Sequence, residues 1–358
     1  MHVRKLTLIN FKNHAEITLD FSAKINCIVG QNGVGKTNIL DAIHYMSLTK
    51  SAFNTVDSQN IRFDQLYFMI KGVIDREGPK ELLCSLQRGK KKIFKVDKIE
   101  YDKLSDHVGL FPVVLVAPDD SDIIKGPGEV RRKFFDSIIS QVDKKYLNGL
   151  VRYNHFLKQR NALLKRFHEG LKFDYDLLLP YDKELKILNS GLSKKREGFM
   201  EQFNPIFREF YAHISSGHEM AEVVYDTIIN EQNIDHLFNE ALEKDRIMER
   251  STVGIHRDEF KFLLDHKPIK KFGSQGQQKS FLLALKVAHY QTILKLKGFK
   301  PVLMLDDIFD KLDTERISKV LQIMSTEDFG QIFITDARKE RTEQFLEELN
   351  MEAKFHFI

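Results

Sequence analysis

The segment Gly30-Gln31-Asn32-Gly33-Val34-Gly35-Lys36-Thr37 constrains this chain more than any other feature. It matches G-x-x-x-x-G-K-[ST] and stands between two recognisable patterns. Before it runs a short apolar strand, Ile25-Asn26-Cys27-Ile28-Val29; after it, Ile39, Leu40, Ala42, Ile43 and Met46 recur at helical spacing. That strand–loop–helix context predicts an α/β fold and implies a chemistry. Glycines let backbone N–H groups curl around phosphates, and the helix N-terminus adds positive potential. Lys36 supplies a point charge to the β and γ phosphates of a nucleotide. The Thr37 hydroxyl is an oxygen of the kind that Mg²⁺ takes. Residues 30–37 are therefore all candidate cofactor contacts.

A second motif lies far downstream. Val302-Leu303-Met304-Leu305 is an apolar strand ending in Asp306-Asp307. Paired with a phosphate loop, a strand beside the loop strand would bring Asp306 into the Mg²⁺ shell. Asp307 would then stand where an attacking water is polarised, a catalytic role it would share with Lys36. Most of the chain separates the two motifs, far more than a minimal nucleotide fold needs. An insertion is required, and the stretch from Glu129 to about residue 250 reads as mostly helical, with few strong strand signals. The predicted organisation is residues 1–126 as the first part of a head, 127–250 as a helical arm, and 251–358 as the rest of the head. Within the first part, a hairpin turns at Asn13-His14, and segments 66–75, 81–87, 91–96 and 111–116 read as strands.

Between the arm and the acid-ended strand stands Phe272-Gly273-Ser274-Gln275-Gly276-Gln277-Gln278-Lys279-Ser280. Ser274 is a suitable cap for the helix that follows. Phosphate loop, S-x-G-x-Q helix start and acid-ended strand, in that order, resemble the ATP-binding-cassette ATPases. In those proteins the S-x-G-x-Q segment of one subunit covers the γ-phosphate held by another, which suits a helix N-terminus. Ser274, Gly276 and Gln277 are thus candidate nucleotide contacts made across a dimer.

The resemblance sharpens to the RecF family of SMC-like ATPases. It rests on Leu8-Ile9-Asn10-Phe11-Lys12-Asn13, the phosphate loop, Pro118-Asp119-Asp120 through Lys125-Gly126-Pro127, and Arg131-Arg132-Lys133-Phe134-Phe135-Asp136. It continues through Gln159-Arg160-Asn161, Gly254-Ile255-His256-Arg257-Asp258 and Ser274-Gln275-Gly276-Gln277-Gln278. The resemblance implies an SMC-like ATP-binding-cassette head with a helical arm, ATP and Mg²⁺ as cofactors, and an ATP-dependent homodimer. It further implies binding of double-stranded DNA and gap junctions, weak DNA-dependent ATP hydrolysis that releases the DNA, and cooperation with RecR in loading RecA. Three positions depart from the family or from its transporter relatives. Asp310 replaces a serine in the turn after Asp307. Asp336 follows Ile332-Phe333-Ile334-Thr335 where transporter cassettes place a histidine, so Thr335 or Asp336 would have to sense the γ-phosphate. Lys50-Ser51-Ala52-Phe53 lacks an arginine often found there.

The net charge is only +4, so any DNA affinity must come from local clusters. Arg88, Lys90, Lys91, Lys92, Lys95 and Lys98 crowd one hairpin, opposed by Asp97. Residues 125–172 hold twelve Lys and Arg against four Asp and Glu, and Arg131 and Arg132 belong to that surplus. Lys90, Lys91, Lys92, Arg131 and Arg132 are the candidate DNA contacts. No groove-reading or base-stacking motif is visible, so contacts would be to the backbone and nearly independent of sequence. His256-Arg257-Asp258 reads as a structural element. No segment has the length and apolarity of a membrane span, and no export signal is visible. Two cysteines, Cys27 and Cys84, exclude a disulfide scaffold, and a reducing cytoplasm fits. The competing readings are another SMC- or cassette-type DNA-repair ATPase, or a P-loop phosphotransferase. The second predicts no S-x-G-x-Q helix start, and a transporter cassette predicts a switch histidine; both lose support.

Overall fold

The computed structural model describes residues 1–215, 219–308, 319, 322, 329–348 and 350–358. The turn at 309–313, where Asp310 departs from the family, lies outside them. The chain forms two compact units. The first joins Met1–Ser121, Phe210–His218 and Lys279–Ile358; the second joins Asp122–Glu209 and Glu219–Gln278.

The first unit is built on two sheets and the helices packed on them. One is a six-stranded antiparallel sheet of β1 (His2–Phe11), β2 (His14–Asp20), β4 (Tyr67–Asp75), β5 (Pro79–Gln87), β6 (Ile93–Val96) and β7 (Ile99–Glu100), in the order β2-β1-β4-β5-β6-β7. Another is a five-stranded parallel sheet of β3 (Ile25–Val29), β8 (Val113–Val116), β12 (Val302–Leu305), β13 (Ile332–Asp336) and β14 (Ala353–Phe357), ordered β14-β3-β13-β12-β8. Helix α1 (Lys36–Leu48) packs between them.

Burial follows strand type. β3, β12 and β13 are buried at every residue, as parallel strands covered on both faces must be. β4 alternates buried with less buried residues, because only one face of the antiparallel sheet meets the core. Gly72 lets α1 approach β4 closely, since a Cβ there would meet Met46 Sδ at 2.2 Å. Edge-to-face contacts of Phe11 with Phe68 at 5.3 Å and of Tyr45 with Phe68 at 5.6 Å lock this layer.

The second unit begins within the short helix α2 (Ser121–Lys125). It is built on α3 (Gly128–Val142), α4 (Lys144–His168), most of α5 (Leu179–Ser215) and α6 (Ile234–Ile247). It also contains a sheet of β9 (Ala221–Asp226), β10 (Glu259–Leu264) and β11 (Lys267–Pro268), ordered β11-β10-β9. β9 lies within residues 129–250, the stretch read as mostly helical with few strong strand signals. Its six residues carry a weak alternation and gain a ladder only from β10, far along the chain. Phe135 stacks on Phe260 at 4.3 Å and meets Phe203 at 5.4 Å, joining helix and sheet layers. Two arginines, Arg160 and Arg196, are fully buried in this unit.

Candidate nucleotide site

The loop after β3 can form because two glycines take left-handed backbone angles, φ 88° at Gly33 and 108° at Gly35. A Cβ on Gly35 would also collide with the Asn13 and His14 side chains at 2.5–2.6 Å. Asn13, in the Lys12–Asn13 turn between β1 and β2, and His14, the first residue of β2, grip the loop from outside. Asn13 Nδ2 donates to Val34 O at 2.7 Å, and Asn38 Nδ2 donates to Asn13 Oδ1 at 2.7 Å. His14 Nε2 donates to Gly35 O at 3.1 Å, and burial lowers its pKa, so the ring is neutral near pH 7. The sequence marked Asn13-His14 as a turn; its hold on the loop depends on tertiary placement.

Inside the loop, Lys36 is only 4% exposed. Its Nζ donates to Gly30 O at 2.9 Å and Gln31 O at 3.2 Å, and lies 3.5 Å from Asn32 Oδ1. The ammonium is held on acceptors of the loop it serves. Thr37 follows in the first turn of α1 and donates its hydroxyl to both oxygens of Asp306, at 3.0 and 2.9 Å.

The expected neighbourhood of strands is corrected. β12 does not lie beside β3, because β13 stands between them. Asp306 reaches Thr37 all the same, since parallel strands open their C-terminal ends on one edge and α1 begins there. The intervening strand joins the site. Thr335 Oγ1 donates to Asp306 Oδ1 at 2.7 Å and accepts from Asp307 N at 2.9 Å. Asp336, the last residue of β13, is turned to the segment that follows it, including the helix Lys339–Glu348: it accepts from Arg341 Nε at 3.0 Å, Thr342 Oγ1 at 2.8 Å and Arg338 N at 3.2 Å.

Electrostatics separate these carboxylates. Burial raises the Asp306 pKa; its hydroxyl partners oppose the rise, the Asp307 charge adds to it, and Lys36 offsets it. For Asp336 burial also pushes upward, but Arg341 and Thr342 outweigh it and hold the group below the usual carboxylate range. Asp307 has φ 45°, a left-handed angle that an aspartate adopts at some cost, as active-site residues often do.

A carboxylate and a hydroxyl at 3 Å form the hard-oxygen donor pair that Mg²⁺ prefers, so the residues present fit that ion. Among the described residues no cluster of His, Cys, Asp or Glu offers a competing metal site.

Ser274 and its neighbours lie in the second unit, just after the short helix α7 (Ile269–Phe272). Ser274 Oγ accepts from Gln277 N at 3.2 Å, and Gln277 Oε1 accepts from Ser274 N at 2.6 Å, a reciprocal capping box at the start of α8 (Gln275–Lys297). Ser274 and Gln275 are exposed, while Gly276 is half-buried. Of the basic candidates, Lys90 and Lys91 are exposed at the turn after β5. Lys92, expected beside them, instead turns inward. Its Nζ donates to Thr49 O at 2.6 Å, Asp57 Oδ2 at 2.7 Å and Tyr45 OH at 3.1 Å, because the pairing of β5 with β6 aims it at α1. Arg131 pairs with Glu259 at 2.7 Å, and Arg132 donates to Asp258 O at 2.7 Å. His256, Arg257 and Asp258 hold no internal pair: Asp258 bonds Arg196 at 3.3 Å and Thr227 at 2.8 Å.

Comparison with known proteins agrees with this geometry. A family model described as the RecF/RecN/SMC N terminal domain matches residues 2–354. The DNA replication and repair protein RecF of Flavobacterium johnsoniae is 45% identical over 344 residues, covering 96% of each chain. That of Bacteroides thetaiotaomicron is 42% identical over 356 residues, 99% of this chain and 96% of its own. Among solved structures, the recombination mediator RecF-ATPrS of the RecFOR pathway superposes with a TM-score of 0.89 at 29% identity, covering 100% of this chain and 96% of that one. RecF-ATP of the same pathway gives 0.87 at 30% identity, covering 94% and 92%. An Smc head bound to a ScpA domain gives 0.54 at 16% identity over 95% and 90%, a likeness of fold alone. With this α/β ATPase head and these relatives, the chain belongs to the RecF family.

Proposed function

We propose that this chain is an ATP-regulated DNA-binding protein of DNA repair and replication. Its first unit serves as the ATPase head, and its second as the arm that presents the S-x-G-x-Q segment. The observation that carries this reading is the bond from Thr37 to both oxygens of Asp306, which joins the phosphate loop and the acid-ended strand across most of the sequence.

Residues 30–37 would cradle the triphosphate, with backbone N–H groups and the Lys36 ammonium as donors. Thr37 and Asp306 would hold Mg²⁺, which supplies charge neutralisation at the phosphate oxygens when bound. Asp307 is the carboxylate for orienting and deprotonating the attacking water. Thr335, bonded to both Asp306 and the Asp307 backbone, is better placed than Asp336 to register the terminal phosphate. Ser274, Gly276 and Gln277 would meet the nucleotide of a second copy, which makes ATP the ligand that favours the dimer. The dimer would engage the backbone of duplex or gapped DNA, with Lys90, Lys91, Arg131 and Arg132 as candidate contacts, and hydrolysis would release it. RecR is the expected partner in loading RecA, in the cytoplasm.

Sedimentation with and without ATP, repeated with duplex DNA, tests this. The wild-type chain should dimerise with ATP. Lys36→Ala should lose tight ATP binding and the dimer together. Ser274→Arg should keep ATP binding yet stay monomeric. Normal dimerisation of the Ser274→Arg variant overturns the role given to the segment; wild-type ATP affinity in Lys36→Ala overturns the site.

A further inference from the structure

The second unit contains a cavity of about 400 Å³, within the range of small-ligand sites. Its walls carry Arg132, Arg250 and Arg257, with Asn154, Tyr153 and His256 between them. The two acids in its lining are already matched. Asp136 takes Arg196 Nη2 at 2.8 Å, and Glu129 takes Lys133 Nζ at 2.6 Å. Arg250 and Arg257 have no ion-pair partner among the described residues, and Arg132 bonds only a main-chain oxygen there.

Exposed arginines alone would mean little. Here the loop that bears them is anchored residue by residue to buried groups. Ser251 N and Oγ both donate to Asn161 Oδ1 at 2.8 Å, and Arg160 Nη1 donates to Ser251 Oγ at 2.8 Å. Thr252 N donates to Asp245 Oδ1 at 2.7 Å. Ile255 N donates to Asn189 Oδ1 at 2.8 Å, and Ile255 O accepts from Arg196 Nη1 at 2.9 Å. Gly254, at φ 143°, makes the bend; a Cβ there would strike Tyr153 Oη at 2.4 Å. Beyond the bend, His256 Nε2 donates to Ser251 O at 3.0 Å and Nδ1 accepts from Tyr153 Oη at 2.6 Å. The carbonyl can only accept, so Nε2 carries a hydrogen; burial drives the ring's pKa down to about 4, which leaves Nδ1 unprotonated as the acceptor. His256 therefore serves as a strut. The segment is rigid on its inner side and presents uncommitted guanidinium groups on its outer side, the preorganisation that an anion site needs.

We propose that this cleft, walled by Arg132, Arg250 and Arg257, is a phosphate-binding site separate from the loop at residues 30–37. The phosphate can belong to a nucleic-acid backbone or to a free phosphate. The first source rests on the DNA-binding reading above; the second does not.

The test uses the full chain and the double substitution Arg250→Gln with Arg257→Gln, which keeps length and polarity and removes no internal bond. One arm measures anisotropy of a labelled duplex of about 20 base pairs against salt, with ATP and Mg²⁺ present so that the dimer can form. A backbone site predicts an affinity loss of about tenfold or more and a salt slope flatter by about two. The other arm titrates inorganic phosphate by calorimetry. Loss of one phosphate site with duplex binding unchanged assigns the cleft to free phosphate. If both the duplex and the phosphate titrations match wild type, the proposal is overturned. If wild type binds no duplex, the DNA reading fails, while the phosphate titration still decides the cleft.

Discussion

Asp306 in the first unit and Asp258 in the second are both buried aspartates beside a strand, and burial raises the pKa of both. Their surroundings differ in one respect. Asp258 is held by Tyr225, Thr227 and the Arg196 guanidinium, so its charge is neutralised inside the fold. Among the described residues, Asp306 has only hydroxyls, Thr37 and Thr335, as hydrogen-bonding side chains, with a second carboxylate next in sequence. The protein has paired one buried charge with a guanidinium and given the other only hydroxyl donors. A buried charge matched internally is framework; one matched by neutral donors that a metal can replace marks a site.

The largest effect that sharpens this contrast is expected at Asp307. Asp307→Asn keeps shape and removes the carboxylate proposed as the base, so on that proposal ATP hydrolysis should fall about 10²–10⁴-fold while ATP binding and the dimer persist. Turnover and dimer lifetime should be measured in one preparation. Hydrolysis at the wild-type rate would remove Asp307 from the chemistry.

Next comes Asp258→Asn. It leaves Arg196 with Asp136 alone, and losing one member of a buried ion network costs about 3 kcal/mol. The melting transition of the second unit should drop by roughly 6–12 °C. A shift under 2 °C, on the order of measurement scatter for such a change, would show that Asp136 suffices and that the two aspartates are less different than their partners suggest.

The smallest effect has the opposite sign. Asp306→Asn, without nucleotide or metal, should raise the melting temperature at pH 7, by less than the drop expected for Asp258→Asn. The folded-state pKa of Asp306 lies above the unfolded value, so the folded state binds more protons between them. Stability from this group is full below the unfolded value and lost as pH rises through the folded one. The gain from asparagine should therefore vanish below about pH 4, where both states are protonated. The same variant should bind Mg-ATP more weakly. A loss of stability at pH 7 would mean that the hydroxyls already satisfy the charge, and the contrast with Asp258 would break.

Local patterns located most of the head. Residues 25–29, 302–305 and 332–335 read as buried strands because parallel strands carry unbroken apolar runs, and they lie where expected. The β9–β10 pairing escaped, since a six-residue strand with weak alternation is stabilised by a partner that periodicity cannot name. The inward turn of Lys92 escaped for the same reason: a basic run looks solvated until strand pairing decides which face each residue takes.

By itself, the order of residues determined the phosphate loop, its lysine and threonine, the acid pair and the capped Ser274 helix start. Each depends on neighbours within a few positions: glycines that allow left-handed angles, a hydroxyl three residues from its amide, an apolar run that must be buried. Only the tertiary structure decided that β13 separates β3 from β12 and thereby brings Thr335 to Asp306. It alone set Asn13 and His14 on the loop, and gathered Arg132, Arg250 and Arg257 around one cleft. Those arrangements join positions far apart in the chain, and loop closure and strand order, which no local spacing encodes, determine them.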